Sequence, residues 1–304
     1  MATITSAGIG SGLDINSIVS QLLAIERQPL VALERQETQL TTKLSEFGKM
    51  QGMVSAMRDK ASALSSSTLW SRTSGASADA AVGITTAAGA AVGAYAVQVQ
   101  QLAAVQTVSS RRFNDADPAV FGPGALTIEL GAYTGSPTVS GFNAKAGATA
   151  VTVTLGAEDD TLAEVRDKIN AANAGVTATV INDANGARLA IRSKDSGAEN
   201  GFRITATETA DDGVATNGLS ALAFDARAAS PMTFNQRAAN ALATINGIDV
   251  ESASNTLADV SDGVTLKLVK TTTAPVEVSV AADSAAVKTA AEDFVKSYNE
   301  LATY

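Results

Sequence analysis

The 304-residue chain has no cysteine and no histidine, a single tryptophan, and aromatic residues at only 4%. Those absences remove imidazole acid–base catalysis, thiol nucleophiles, disulfide frameworks and metal sites built from nitrogen or sulfur ligands. Carboxylate, lysine and hydroxyl chemistry survives. Basic residues are also scarce: 22 Lys and Arg against 31 Asp and Glu leave a formal charge of −9. Phosphate affinity rests on clustered Lys and Arg, and the sequence has no such cluster, so nucleic acid is excluded as a partner and proteins are expected instead. Long apolar runs are missing too. Stretches such as Ala87 to Val92 fall far short of the ~18–20 residues of a membrane span, so no membrane insertion is expected. The first basic residue is Arg27, so the N-terminus lacks the basic and apolar regions of a cleaved signal. The chain is therefore expected to stay cytoplasmic or to use a route that reads a native N-terminus.

What remains is 45% apolar, enough for cores, and rich in alanine. Cores of small side chains and elongated modules are expected, in about two domains at ~150 residues each. Residues 1–14 carry Gly8, Gly10 and Gly12 with little that can pack, which reads as a flexible arm; no strand precedes these glycines as a phosphate loop would require. Asp14 is a good N-cap, and Ile15, Ile18, Val19, Leu22, Leu23 and Ile25 follow at helical spacing until Pro29 breaks the pattern. A second helix is expected after Pro29. Its Leu33, Leu40, Leu44 and Phe47 step as coiled-coil a and d positions, and a stammer then shifts the stripe to Met50, Val54, Met57, Ala61 and Leu64. Trp70 stands where this helix ends and reads as a packing anchor.

The period then changes to two. Alternation at Tyr95–Val99, Leu126–Leu130, Val151–Leu155, Val176–Val180, Leu189–Ile191 and Phe202–Ile204 predicts half-buried strands. Thr161 with Glu164 makes a capping box for a helix carrying Leu162, Val165 and Ile169. Asn185-Gly186 and Asn246-Gly247 read as two-residue hairpin turns, and Val264–Leu268 and Val276–Val280 as further strands. Thr161–Asp167 is echoed by Thr256–Asp262, which suggests a shared unit or a chance likeness. From the N-cap Asp283, Val287, Ala291, Phe294, Tyr298 and Leu301 step by three and four, and no Gly or Pro stops this helix before Tyr304, so it is expected to continue.

The expected fold class is therefore α+β and multidomain: an N- and C-terminal helical coiled-coil stalk with inserted β-rich head domains. The expected divisions are the arm at 1–14, the stalk at 15–75 with 283–304, one head at 76–114 with 236–282, and a second head inserted at 115–235.

Catalysis has little support. Acidic clusters at Asp115–Asp117, Glu158–Asp160 and Asp211-Asp212 could pair carboxylates as a glycosidase does, but they sit beside Gly, Pro or Ala where solvated turns are ordinary. Asp183–Gly186 starts like a calcium loop yet lacks the downstream glutamate, so a hairpin turn explains it better. No catalytic, cofactor or metal residue is nominated.

The run from Gly8-Ile9-Gly10-Ser11-Gly12-Leu13-Asp14-Ile15 through Ile18-Val19-Ser20-Gln21-Leu22-Leu23 to Glu26-Arg27-Gln28-Pro29-Leu30 closely resembles the N-terminus of the bacterial flagellar filament cap family, the second hook-associated proteins. Gly93–Val99 with Gln101-Leu102-Ala103 looks like the first strand of that family's head. Ile169-Asn170 with Gly175–Ala178 and Leu189 is similar to the "IN" motif of flagellins and hook proteins, and Ile245-Asn246-Gly247 to Gly263–Leu266 resembles the start of the C-terminal region. Phe294 with Tyr298-Asn299 fits the family's returning helix.

The resemblance implies a secreted structural protein at the flagellum tip, not an enzyme and without cofactors. It implies a ring of pentamer or hexamer type, with flagellin, the hook–filament junction proteins, the flagellar export apparatus and a chaperone as partners. Leu13, Asp14, Ile15, Ile18, Val19, Leu22 and Leu23 would then contact the filament or hook end, and Leu33, Leu40, Leu44, Phe47, Val54, Phe294, Tyr298 and Leu301 would form the stalk seam. The family continues through a further helical segment and tail beyond the point matching Tyr304, whose lack would impair ring formation and chaperone binding. Another flagellar axial component, or a surface adhesin binding mucin or a host, stands as the alternative.

Overall fold

A computed structural model describes residues 14–114, 121–136 and 138–304. Their contacts form two compact units, one holding the helices of the two chain ends and the other spanning Ser71–Ala282.

In the first unit, α1 runs from Ile15 to Ser65, 51 residues, capped by the Asp14 carboxylate accepting the Ser17 amide at 3.1 Å. Its length is roughly 75 Å at 1.5 Å per residue. The helix passes through Pro29 instead of ending there. The flanking Leu, Ala, Glu, Gln and Arg residues are strong helix formers on both sides of one lost backbone bond. The two expected segments therefore share one phase. A short turn, α2 (Ser67–Trp70), follows. The Trp70 ring is 62% exposed, which corrects the packing-anchor reading; its indole N–H instead donates to the Leu64 carbonyl at 2.7 Å, satisfying a group that the helix end leaves open.

The second unit opens with β1 (Thr73–Ser77), β2 (Val82–Thr86), β3 (Gly93–Gln101), β4 (Thr107–Ser109), β5 (Gly124–Thr134), β6 (Gly141–Ala144) and β7 (Val151–Leu155). The helix α3 (Leu162–Ala171) comes next, then β8 (Val176–Asp183), β9 (Gly186–Ser193), β10 (Phe202–Glu208) and β11 (Thr233–Gln236). The unit closes with β12 (Ala241–Ile245), β13 (Ile248–Ser252), β14 (Thr256–Ser261), β15 (Val264–Leu268) and β16 (Val276–Ala282). The chain then returns to the first unit as α4 (Ser284–Ala302), N-capped by Asp283.

Two separate cores form within Ser71–Ala282. One lies between the sheet β1-β16-β3-β12-β13 and the sheet β14-β15-β2, and is filled by Val, Ala, Leu and Ile such as Val97, Val99, Ala243, Leu266 and Val278. The other lies between β10-β5-β6 with β7, the sheet β11-β4-β9-β8, and α3. It departs from the expected small-residue core: Phe113, Phe121, Phe202 and Phe224 are buried there, with Phe142 and Phe234 packed against them and Tyr133 stacked edge-on to Phe142 and Phe224. The scarce aromatics are thus concentrated in one place, where each ring removes far more apolar surface from water than an alanine. Val108 and Phe113 belong to this second core, upstream of the boundary expected at 114/115, because β4 pairs with β9 and β11. β1, expected at the end of the stalk, pairs with β16.

The echoed segments adopt different structures. Thr161 and Glu164 form the capping box, and Leu162, Val165 and Ile169 turn one buried face onto the sheet. The matching Thr256–Ser261 is strand β14, paired with β15 through Leu257↔Leu266. Asp259 there takes a φ of 50° at a register shift, and Gly263 turns the chain straight back, so no helix propagates. Asn246-Gly247 makes the expected hairpin turn, with φ of 51° and 80°. The other hairpin is offset by one residue: Asp183 pairs with Gly186, leaving Ala184-Asn185 as its loop.

Candidate functional site

Along α1, Val19, Leu23, Leu30, Leu33, Leu40, Leu44 and Phe47 recur at alternating steps of four and three, with Glu26 and Glu37 in the intervening places. Because the helix is continuous through Pro29, these residues form one stripe. None is covered: exposure rises from 48% at Val19 to 74% at Leu44. Ile18, Leu22 and Ile25 flank the stripe and are equally open. A long apolar stripe left in water marks a docking face. Asp14 caps the helix and Ile15 begins it; Leu13 lies outside the described residues.

Past Glu46 the helix has a partner. α4 runs antiparallel to it, with Lys60 Nζ 2.7 Å from Asp293 Oδ2, and the Tyr304 hydroxyl donating to the Glu46 carboxylate. The half-buried residues of α1 in this stretch include Met53, Met57 and Leu64, while Val54 is exposed. On α4 they include Val287, Ala290, Phe294 and Leu301, with Ser297 buried and Tyr298 exposed. The seam in the single chain thus runs one position away from Val54 and Tyr298 and uses small Ala290 and Ser297. Leu33, Leu40 and Leu44 precede the stretch that α4 lies along, while Phe47 stands at its edge and lines a recess with Met50 and Tyr304.

The Ser71–Ala282 unit carries a second recurrent device, which periodicity could not reveal: side-chain amides standing in for backbone. Asn170 of the "IN" segment both donates to the Ala178 carbonyl at 2.9 Å and accepts its N–H at 2.8 Å, tying α3 to β8. Asn255 does the same for Ala103, at 2.9 and 2.7 Å. Gln106, fully buried, clasps Phe202 on the outer strand β10 at 2.7 and 3.1 Å. Each amide presents a donor and an acceptor side by side, as a neighbouring strand would.

The acidic groups serve turns. Asp159 is almost wholly buried, and acceptance from the Gly156 N–H, with help from Lys168 at 3.0 Å, holds its carboxyl below the usual range. Asp212 accepts from Asn217 and Val214, which lowers it likewise, and Asp211 accepts from Gly213. Glu208, near both, accepts from the Ser220 amide. Asp115–Asp117 lie outside the described residues.

Three family models match the chain: flagellar hook-associated protein 2 N-terminus over residues 11–106, flagellar hook-associated protein 2 C-terminus over 238–304, and the flagellin hook IN motif over 132–195. The flagellar hook-associated protein 2 of Escherichia coli K12 is 33% identical over 99% of this chain and 61% of its own length. The A-type flagellar hook-associated protein 2 of Pseudomonas aeruginosa is 34% identical over 98% of this chain and 62% of its own. The chain thus spans about three fifths of the length of these curated relatives. Among solved structures, the flagellar cap protein FliD D1-D2-D3 domains from Escherichia coli superpose with a TM-score of 0.66 at 31% identity, covering 85% of this chain and 68% of that one. FliD (HAP2) from Pseudomonas aeruginosa PAO1 gives 0.57 at 30%, covering 74% and 94%.

Proposed function

Because the chain belongs to the flagellar hook-associated protein 2 family, we propose that it acts as a structural cap at the distal end of a bacterial flagellar filament, outside the cell. In this reading it promotes insertion of arriving flagellin and prevents its leakage. The observation that carries the proposal is the uncovered apolar stripe of α1. A single chain gains nothing from keeping so many large aliphatic side chains in water, whereas a filament end built of helices offers a surface on which they can be buried.

Ile15, Ile18, Val19, Leu22 and Leu23, with Leu13 and Asp14 before them, form the leg end that meets the filament or the hook–filament junction. Leu33, Leu40, Leu44 and Phe47 extend the stalk. The stalk is α1 with α4, and the two cores of Ser71–Ala282 form the heads. Copies of the chain assemble into a ring, of pentamer or hexamer type, above the growing end. Export proceeds through the flagellar apparatus with a dedicated chaperone, and a chain without cysteine has no disulfide to make or break on that route.

The test is complementation. The full natural chain carrying this sequence is expressed in a cap-deleted strain, and filaments and secreted flagellin monomer are counted. Filaments should return and monomer leakage should fall. A chain that is exported and folded while flagellin still leaks would overturn the cap reading.

A further inference from the structure

The sequence contains four Asn-Gly pairs, at Asn185, Asn200, Asn217 and Asn246. An asparagine before glycine is the pair most open to spontaneous deamidation, because the following backbone nitrogen can reach the carboxamide carbon without a side chain in its way. The fold treats the four differently. Asn200 is held at both ends of its amide, accepting from Lys145 Nζ at 2.6 Å and donating to the Ser196 carbonyl at 2.6 Å. Asn217 donates to Asp212 Oδ2 at 2.7 Å. Asn246 accepts the Ala96 amide at 2.8 Å and is fixed in its turn at a φ of 51°. Asn185 is exposed in the β8–β9 loop, and among the described residues only its backbone N–H is engaged, by Asp183 Oδ1 at 2.7 Å.

The glycine that makes this pair labile is imposed by the fold. Gly186 has a φ of 130°, and a Cβ there would stand 2.1 Å from the Phe113 carbonyl oxygen. The backbone of Phe113 approaches so closely because it exchanges two hydrogen bonds with Ala187, at 2.8 and 2.9 Å. No residue with a side chain can protect the bond by replacing Gly186.

We propose that Asn185 is the site of spontaneous deamidation in this chain, with water as the co-reactant. The Gly186 nitrogen bonds to the Asn185 carboxamide carbon, loses its proton, and ammonia leaves to give a succinimide. Water then opens the ring on either side, giving aspartate or isoaspartate, so that one water is consumed and one ammonia released. Both products act on the hairpin. A carboxylate at 185 stands beside Asp183 and competes for Arg112, whose Nη2 lies 2.8 Å from Asp183 Oδ2. Isoaspartate also inserts a methylene into the backbone of a two-residue loop, which shifts the Asp183↔Gly186 pairing.

The experiment ages the full-length folded protein at mildly alkaline pH, with a urea-unfolded sample in parallel, and follows all four sites by peptide mass mapping with isoaspartate-specific methylation. In the folded sample Asn185 should convert several-fold faster than Asn200, Asn217 and Asn246, and in the unfolded sample the four rates should draw together. An Asn185→Ser variant should remove most of the folded-state signal. Faster conversion at any of the other three sites, or an intact Asn185 after those have reacted, would overturn the proposal.

Discussion

Ile18→Asp with Leu22→Asp should leave the protein folded and exported yet abolish filament growth in the complementation assay. Both side chains are exposed, at 42% and 56%, so their replacement touches no packed core and should change stability by no more than about 0.5 kcal/mol. At a docked filament end the balance differs. Each lost aliphatic contact forfeits about 1.5–3 kcal/mol of burial. Each new carboxylate must also be stripped of water without a partner, which costs still more. Filament counts should fall to those of the cap-deleted strain, with flagellin monomer back in the medium. The paired control, Ser20→Asp with Gln21→Asp, alters solvent-facing polar positions on the same turns and should retain growth. If both pairs grow filaments equally well, the apolar stripe is not the contact.

Gln106→Leu should strongly destabilise the second head core although it removes no apolar contact. The side chain is fully buried and its amide meets both backbone groups of Phe202, which lies on the outer strand β10, paired with β5 and bridged to Phe224 through Ile204. Leucine matches the volume approximately but leaves the Phe202 N–H and C=O unsatisfied, at about 1–3 kcal/mol each. A net loss of about 3 kcal/mol is expected, read as a lower midpoint in urea unfolding with an unchanged slope. Asn170→Ala breaks a similar clasp at a half-buried position and should cost less, since water can reach the freed groups. A Gln106→Leu midpoint equal to the parent's would show that the amide clasp is not what closes this edge.

These two predictions draw on different layers of the sequence. The leg stripe is legible because exposed aliphatics at steps of three and four leave a periodic signature, and the strand set is legible from alternation. Continuity through Pro29 is not, since the local rule against proline gives way where the residues around it favour helix strongly. The seam on α4 keeps the expected Val287, Phe294 and Leu301 but turns in Ala290 and Ser297 in place of the expected Ala291 and Tyr298, because alanine and serine carry no hydrophobic signal. The likeness of Thr161–Asp167 to Thr256–Asp262 misleads for a related reason. The residues just downstream of each segment decide its structure: Ile169 continues one as a helix, and Gly263 folds the other into a hairpin. The amide clasps of Gln106, Asn170 and Asn255 join residues far apart in sequence or in different elements, and no spacing rule reaches them. The "IN" pair is nonetheless visible as a motif, and the structure supplies its physical reason: isoleucine fills the core while asparagine ties the helix to the strand.

The central claim is that the N-terminal half of α1 touches the filament end. A photo-crosslinking residue at Leu22 of the full-length protein, irradiated on growing flagella, tests it most directly. The account predicts adducts between this position and flagellin or a hook–filament junction protein. Adducts with other copies of the same chain alone, on flagella that grow normally, would contradict it.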